Sequence, residues 1–346
     1  MQSTTGTFFH ANLMPSILRQ GDLAAVRFEL MKHIPAHFVL AKARREGRLP
    51  ETGGTVAETS SGTMALGLAR ECAWKGHHCI IVSDPVIDPV MRSRIETLGA
   101  QVFIVRAGPG EGHQTARMRE LQRILRDRPE AFWPRQYDNP DCRAAYLTVA
   151  ELLAQELARL DVLVAPVGSG ASGCGITQAL RSLWPGLRLV GVDTPGSVLF
   201  GCPDGPRMLR GLGNSLLPGN LVHACFDEVH WVPAPLAYSA TRRMYRDLGA
   251  DVGPTSGAAY LVARAVAAAD PGAVVAHLCP DTGERYRTVV LDEERLQSLG
   301  LRVDPIPDRP VRVDHPDQVG SAWAWLPWGR RTLAEVLRRP DRRAVS

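Results

Sequence analysis

The chain of 346 residues has an ordinary apolar share of 45%, a formal charge of +4 at pH 7 and seven cysteines. That charge is small for the length and no basic stripe interleaves with aromatics, so no nucleic acid partner is expected. No apolar run is long enough for a membrane span and no basic, apolar leader opens the chain, so no membrane contact is expected and the location should be cytoplasmic. The cysteines are scattered singly, without a C-x-x-C pair, which argues against a disulfide framework or a cysteine-ligated metal.

In chain order, "HIPAHFVLAKARREGRL" (33–49) reads as a helix, and "GGTVAETSSG" (53–62) as a strand running into a Ser/Gly turn. "TMALGLARECAWKG" (63–76) is a helix with Gly76 placed to cap it. A buried strand (77–84), a helix (88–100), a strand (101–106) and an exposed, charged helix (110–130) follow. After the loop "WPRQYDNPDCRAAY" (133–146) a second series begins: a helix (148–160), the strand "DVLVAPVG" (161–168), a glycine turn with its helix, and the strand "LRLVGVD" (187–193). Further strands are expected at 227–233 and 273–281, and helices at 234–249 and 256–270. Strands alternating with helices predict an α/β fold of two domains with parallel-rich central sheets and a cleft between them. The tail from about 300 is rich in Pro, Arg and Trp and reads as an extension packed on the body or as an oligomer contact.

Two features point to chemistry. Lys32, Lys42 and Lys75 are the only lysines among 40 basic residues. An arginine bias explains that count, yet a surviving lysine is a candidate for amine chemistry that a permanently charged guanidinium cannot perform. The second feature is "VAPVGSGASGCGITQAL" (164–180), an apolar strand, a glycine turn and a helix start, which together suit an anion. Gly168, Gly170 and Gly173 fit G-x-G-x-x-G, and Asp193 lies twenty residues beyond, so this stretch alone reads as a dinucleotide site. That fingerprint usually sits on the first strand of its domain, whereas here a whole α/β series precedes it. Two more anion-friendly helix starts occur at 57–69 and 253–263. Three such starts suit a ligand with a phosphate, a carboxylate and a ring.

Six segments in one order carry a resemblance: "ETSSGTMALGLA" (58–69), "RQYDNP" (135–140), "GSGASGCG" (168–175), "RGLGNSLLP" (210–218), "GPTSGAAY" (253–260) and "PDTGERY" (280–286). Together they resemble the fold-type II pyridoxal-phosphate enzymes of the cysteine synthase and cystathionine β-synthase family, over roughly residues 28–290. The resemblance implies pyridoxal 5'-phosphate in the interdomain cleft, its phosphate held by Gly168, Ser169, Gly170, Ala171 and Ser172. It implies a large cofactor domain of residues 1–35 plus 136–300, a small substrate-loop domain of 36–135, and a C-terminal extension of 301–346. Counting back from "REGRL" puts Lys32 at the family's Schiff-base lysine. Ser60, Ser61, Gly62 and Gln136 would hold the substrate carboxylate. Thr63 stands where the family has an Asn beside the cofactor's ring oxygen, and Thr255 where it has a Ser at the ring nitrogen.

The implied reaction is β-replacement on a serine-derived amino acid or cysteine by way of an aminoacrylate, with a second, nucleophilic substrate and a homodimeric enzyme. "MKHIPAHF" resembles relatives that join phosphoserine to glutamate, so an amine can take the place of sulfide. A dehydratase or deaminase of the same fold and a non-catalytic scaffold are the alternatives.

Overall fold

The computed structural model describes residues 12–338 apart from Pro109, Arg210 and Asp304. Residues 1–11 of the expected large domain, Arg210 of the segment 210–218, and Asp304 and residues 339–346 of the expected extension lie outside the described residues.

The first elements among the described residues form a hairpin that the sequence does not predict, β1 (Ser16–Gln20) and β2 (Leu23–Arg27), turned at Gly21 with φ +60°. α1 (His33–Arg45) follows directly, with Lys32 at its N-cap. A first α/β series comprises β3 (Thr55–Thr59), α2 (Thr63–Lys75), β4 (His78–Ser83), α3 (Pro89–Thr97), β5 (Gln101–Ile104) and α4 (His113–Asp127). Its strands form a parallel three-stranded sheet in the order β3-β4-β5. Gly76 caps α2 in the left-handed region, as the sequence predicts. The expectation of an exposed α4 needs correction. Ala116, Arg117, Leu121 and Ile124 are buried, so one stripe of this charged helix covers the small sheet.

The second series contains α5 (Asp141–Ala144), α6 (Leu147–Glu156), β6 (Val162–Pro166), α7 (Ala171–Leu180), β7 (Arg188–Asp193), β8 (Glu228–Trp231), α8 (Ala234–Leu248), α9 (Pro254–Ala269) and β9 (Val275–Cys279). β10 (Val311–Arg312) and β11 (Ala324–Pro327) come from the tail. All but the small sheet's strands join one eight-stranded sheet, ordered β1-β2-β9-β6-β7-β8-β11-β10. Its middle, from β2 to β8, is parallel, and antiparallel pairs flank it. Helices on both faces bury every residue of β6 and β9, which explains their unbroken apolar character. The tail is fused to the body: β11 pairs with β8, and Trp323 Nε1 donates to His230 Nδ1 at 3.2 Å. Ligands in open parallel sheets bind beyond the carboxyl ends of the strands. β3 ends at Thr59, β4 at Ser83, β6 at Pro166 and β9 at Cys279, so the residues just beyond them, Ser60, Asp84, Gly168 and Asp281, define where to look.

Candidate active site

The turn after β6 is built for an anion. Gly170 has φ +79°, and a Cβ there would lie 2.6 Å from Leu221 Cα, so only glycine fits. The turn delivers the chain into α7, which no side chain caps. The amides of Ala171, Ser172 and Gly173 therefore have no partner within the helix. Gly173 permits close packing, since its Cβ would meet Ala165 Cβ at 2.9 Å. Asn214 Nδ2 donates to Gly168 O at 3.2 Å and holds the start of the turn. Asp193 does not serve a dinucleotide. It is fully buried, and burial pushes its carboxyl up to about 7, so it cannot meet a ribose.

Lys32 Nζ donates to Ser169 Oγ at 2.9 Å, which brings the lysine to this turn across 137 residues of sequence. Desolvation lowers its pKa from the usual lysine value, against the raising influence of Cys142 and Glu58. The other two lysines are elsewhere. Lys42 pairs with Asp141 at 2.6 Å, and Lys75 lies 4.1 Å from the centre of the Trp74 ring. Beneath Lys32, α1 and α2 are tied by Glu71, whose carboxylate meets His33 Nε2 at 2.7 Å and His37 Nδ1 at 3.1 Å. Burial raises the Glu71 pKa, but the two histidine bonds and charges prevail and hold it well below the carboxylate range.

The second turn joins β3 to α2. Ser60 Oγ accepts from the amides of Gly62 and Ala65, at 3.2 and 3.3 Å, and so caps the helix. Ser61 Oγ donates to Asp84 Oδ2 at 2.8 Å and also accepts from Arg117 Nη1. With both hydroxyls engaged, the turn's remaining anion-binding groups are the first-turn amides of Thr63 and Met64 and the Thr63 hydroxyl. Gln136 Nε2 donates to Thr59 O at 2.8 Å, which sets Gln136 beside this turn. The "DNP" segment is a loop former, as Asn139 Nδ2 donates to Pro134 O and Asn139 Oδ1 accepts from Asp141 N. Thr255 stands in the first turn of α9, facing Gly211: a Cβ on Gly211 would lie 3.7 Å from Thr255 Oγ1. A Cβ on Gly168 would meet Gly211 O at 3.5 Å, so Gly211 separates Thr255 from the phosphate turn. Thr63 also lines a cavity of about 320 Å³ with Leu30, Asp281 and Arg285.

Several groups at this site escape a reading of the sequence. Asp84 and Arg117 form a buried ion pair at 3.1 Å, with side chains 5% and 7% exposed. Arg117 Nε is buried without a partner. Gln114 Nε2 donates to Asn214 Oδ1 at 2.7 Å and links α4 to the segment that steadies Gly168. Tyr137, next to Gln136, is half-buried, and desolvation raises its pKa. Glu58, 1% exposed, is raised by burial to about 7. Asp84 closes the strand expected at 77–84 and Glu58 stands in a resemblance segment; nothing local marks Arg117.

An amine of lowered pKa against a glycine turn that accepts no Cβ at Gly170 or Gly173, with two further turns suited to a carboxylate and a ring, defines an α/β enzyme that holds a phosphorylated carbonyl cofactor. A family model described as pyridoxal-phosphate dependent enzyme matches residues 31–281. The chain is 35% identical to N-(2-amino-2-carboxyethyl)-L-glutamate synthase of Cupriavidus metallidurans over 79% of this chain and 82% of that protein. It is 30% identical to a cysteine synthase of Staphylococcus aureus, covering 73% and 82%. Its fold is similar to that of the O-acetylserine dependent cystathionine beta-synthase from Helicobacter pylori, with a TM-score of 0.75, 24% identity and coverage of 82% and 97%. The chain belongs to the fold-type II pyridoxal-phosphate enzymes of the cysteine synthase and cystathionine β-synthase family. It is an enzyme, its cofactor is pyridoxal phosphate, and its chemistry is β-replacement on amino-acid substrates. Among the described residues no helix is long and apolar enough to cross a membrane.

Proposed function

We propose that this enzyme joins the amino group of a dicarboxylic amino acid, glutamate, to the β-carbon of a serine-derived amino acid. The reading is carried by Arg117, a buried guanidinium on the substrate turn with Nε free. A sulfide nucleophile has no use for such a group, whereas an amine that brings two carboxylates does. The C. metallidurans relative is consistent with it, since its name describes glutamate bearing a 2-amino-2-carboxyethyl group on nitrogen.

The chain's residues divide the work. Gly168, Ser169, Gly170, Ala171 and Ser172 would hold the cofactor phosphate through the α7 amides, and Lys32 would supply the amine that carries the cofactor. When bound, the cofactor supplies an electron sink that acidifies the α-proton and lets the β-substituent depart. Lys32 Nζ would take the proton from the substrate Cα, a task for which its lowered pKa fits it. Ser169 holds Nζ in place through the 2.9 Å bond. The 60–63 turn and Gln136 would hold the substrate α-carboxylate, and Thr63 would offer its hydroxyl to the cofactor's ring oxygen. Thr255 would give the ring nitrogen a neutral partner, which suits elimination better than transamination. The family resemblance also carries a homodimer, which sedimentation of the holoenzyme would test.

The test supplies holoenzyme with O-phosphoserine or O-acetylserine and either glutamate or sulfide, with products read by mass spectrometry. The expected product is the glutamate adduct. Cysteine alone would refute the amine assignment. Ammonia and a 2-oxo acid forming at the same rate without any nucleophile would favour the dehydratase alternative.

A further inference from the structure

We propose that Glu58 is a positioning residue whose carboxylate locks Gln136 to the Ser60–Gly62 turn, so that one buried group sets the spacing between the two halves of the substrate-carboxylate site. The proposal rests on the reading above, in which Gln136 and the turn bind the amino acid's carboxylate.

Glu58 is the penultimate residue of β3, and its side chain turns into the protein beneath the strand end. Its two oxygens face different partners. Oε1 accepts from Thr59 N at 2.8 Å and from Trp133 Nε1 at 3.1 Å. Oε2 accepts from Gln136 N at 3.0 Å. Thus one oxygen holds the strand that leads into the turn, and the other holds the main chain of the residue across from it. Gln136 completes a closed ring of bonds when its Nε2 donates to Thr59 O at 2.8 Å, and Asn220 Nδ2 anchors Gln136 O from outside at 3.1 Å. The ring contains no water-facing member: Glu58, Thr59 and Gln136 are all buried.

A carboxylate is an expensive group to bury, and this one has no cation bonded to it. Three N–H donors compensate part of that cost, which is the pattern of a group kept for what it aligns. The first turn of α2 is fixed by the strand, but segment 133–136 is a loop with no ladder of its own beyond the Phe132 bridge to Val56. Among the described residues, Glu58 is the one charged group bonded to Gln136.

Glu58→Gln tests this with minimal change of shape. The amide oxygen can keep the Thr59 and Trp133 bonds, but the amide nitrogen then meets Gln136 N–H as donor against donor. The apparent KM for the serine derivative should rise about tenfold, the loss of roughly 1.4 kcal/mol, with kcat changed less than about threefold and the lysine-bound cofactor band intact. Trp133→Phe, which removes a bond to the other oxygen, should leave that KM within about twofold. In a Gln136→Ala background Glu58→Gln should add no further KM effect. Additive effects, or an equal rise from Trp133→Phe, would overturn the proposal and leave Glu58 a general structural acid. If Gln136→Ala itself leaves KM unchanged, the assignment of Gln136 fails instead, which separates the two readings.

Discussion

Arg117→Lys isolates the role of the guanidinium from its charge. Removing the cation outright would leave Asp84 buried and uncompensated, at a cost of about 3–5 kcal/mol that would confuse function with folding. Lysine keeps a positive charge near Asp84, 3.1 Å from the present Nη1, but loses Nε and the fork. One charge-assisted bond to a glutamate carboxylate amounts to about 1.5–3 kcal/mol, so KM for glutamate should rise roughly ten- to 150-fold. The cofactor band and the KM for the serine derivative should change little. Sulfide makes no such bond, so its rate should stay within about threefold of the original enzyme. The assay is steady-state turnover of one serine derivative with each nucleophile in turn. Equal losses with glutamate and sulfide would show that Arg117 merely supports the turn, and would remove the main support for an amine nucleophile.

Borohydride reduction of the holoenzyme should place the pyridoxyl group on the Lys32 peptide, and Lys32→Ala should abolish turnover while Lys42→Arg and Lys75→Arg remain active. A label on Lys42 or Lys75 would contradict the site. Gly170→Ala forces an L side chain into φ +79° against Leu221, at about 1–2 kcal/mol for the left-handed conformation alone; titration should show cofactor affinity down at least about tenfold, and unchanged affinity would mean the turn does not hold the phosphate. Glu71 has its pKa depressed by its histidine partners, so its stabilising contribution is present above the unfolded carboxylate value near 4.3 and lost as pH falls. Glu71→Gln should therefore lower Tm at pH 7, with the gap to the original protein closing at lower pH; a gap independent of pH would show that ionisation of Glu71 is not what ties α1 to α2.

The parts of this molecule that the sequence discloses share a physical trait: each is specified by local backbone geometry. The strand, turn and helix around Gly168 need glycines at fixed offsets, and the fully buried strands β6 and β9 need unbroken apolar runs. The scarcity of lysine among arginines singles out three residues for the same kind of reason, a chemical requirement visible without coordinates. Other elements lack such a mark. β1 is a short edge strand with four of its five residues exposed, so it shows no buried face to read. The tail's strand is held by pairing with β8, a partner nearly a hundred residues away in sequence.

The same distinction divides the site itself. In the proposed site the phosphate is approached by amides, and amides are placed by turns, so such a cradle is written in glycine spacing. Selection of a second substrate falls to side chains that meet across elements, and their spacing in sequence is free. Arg117 sits in a helix whose composition is mostly that of a solvated face, and only its packing against Ser61 and Asp84 turns it inward. Glu58 reads as one more polar residue before a turn until the loop at 133–136 closes over it. A chain of this fold can thus keep a legible cofactor site while its choice of nucleophile changes through residues that no local pattern constrains. That asymmetry is why the family follows from six local segments in one order, while the nucleophile has to be argued from one buried guanidinium.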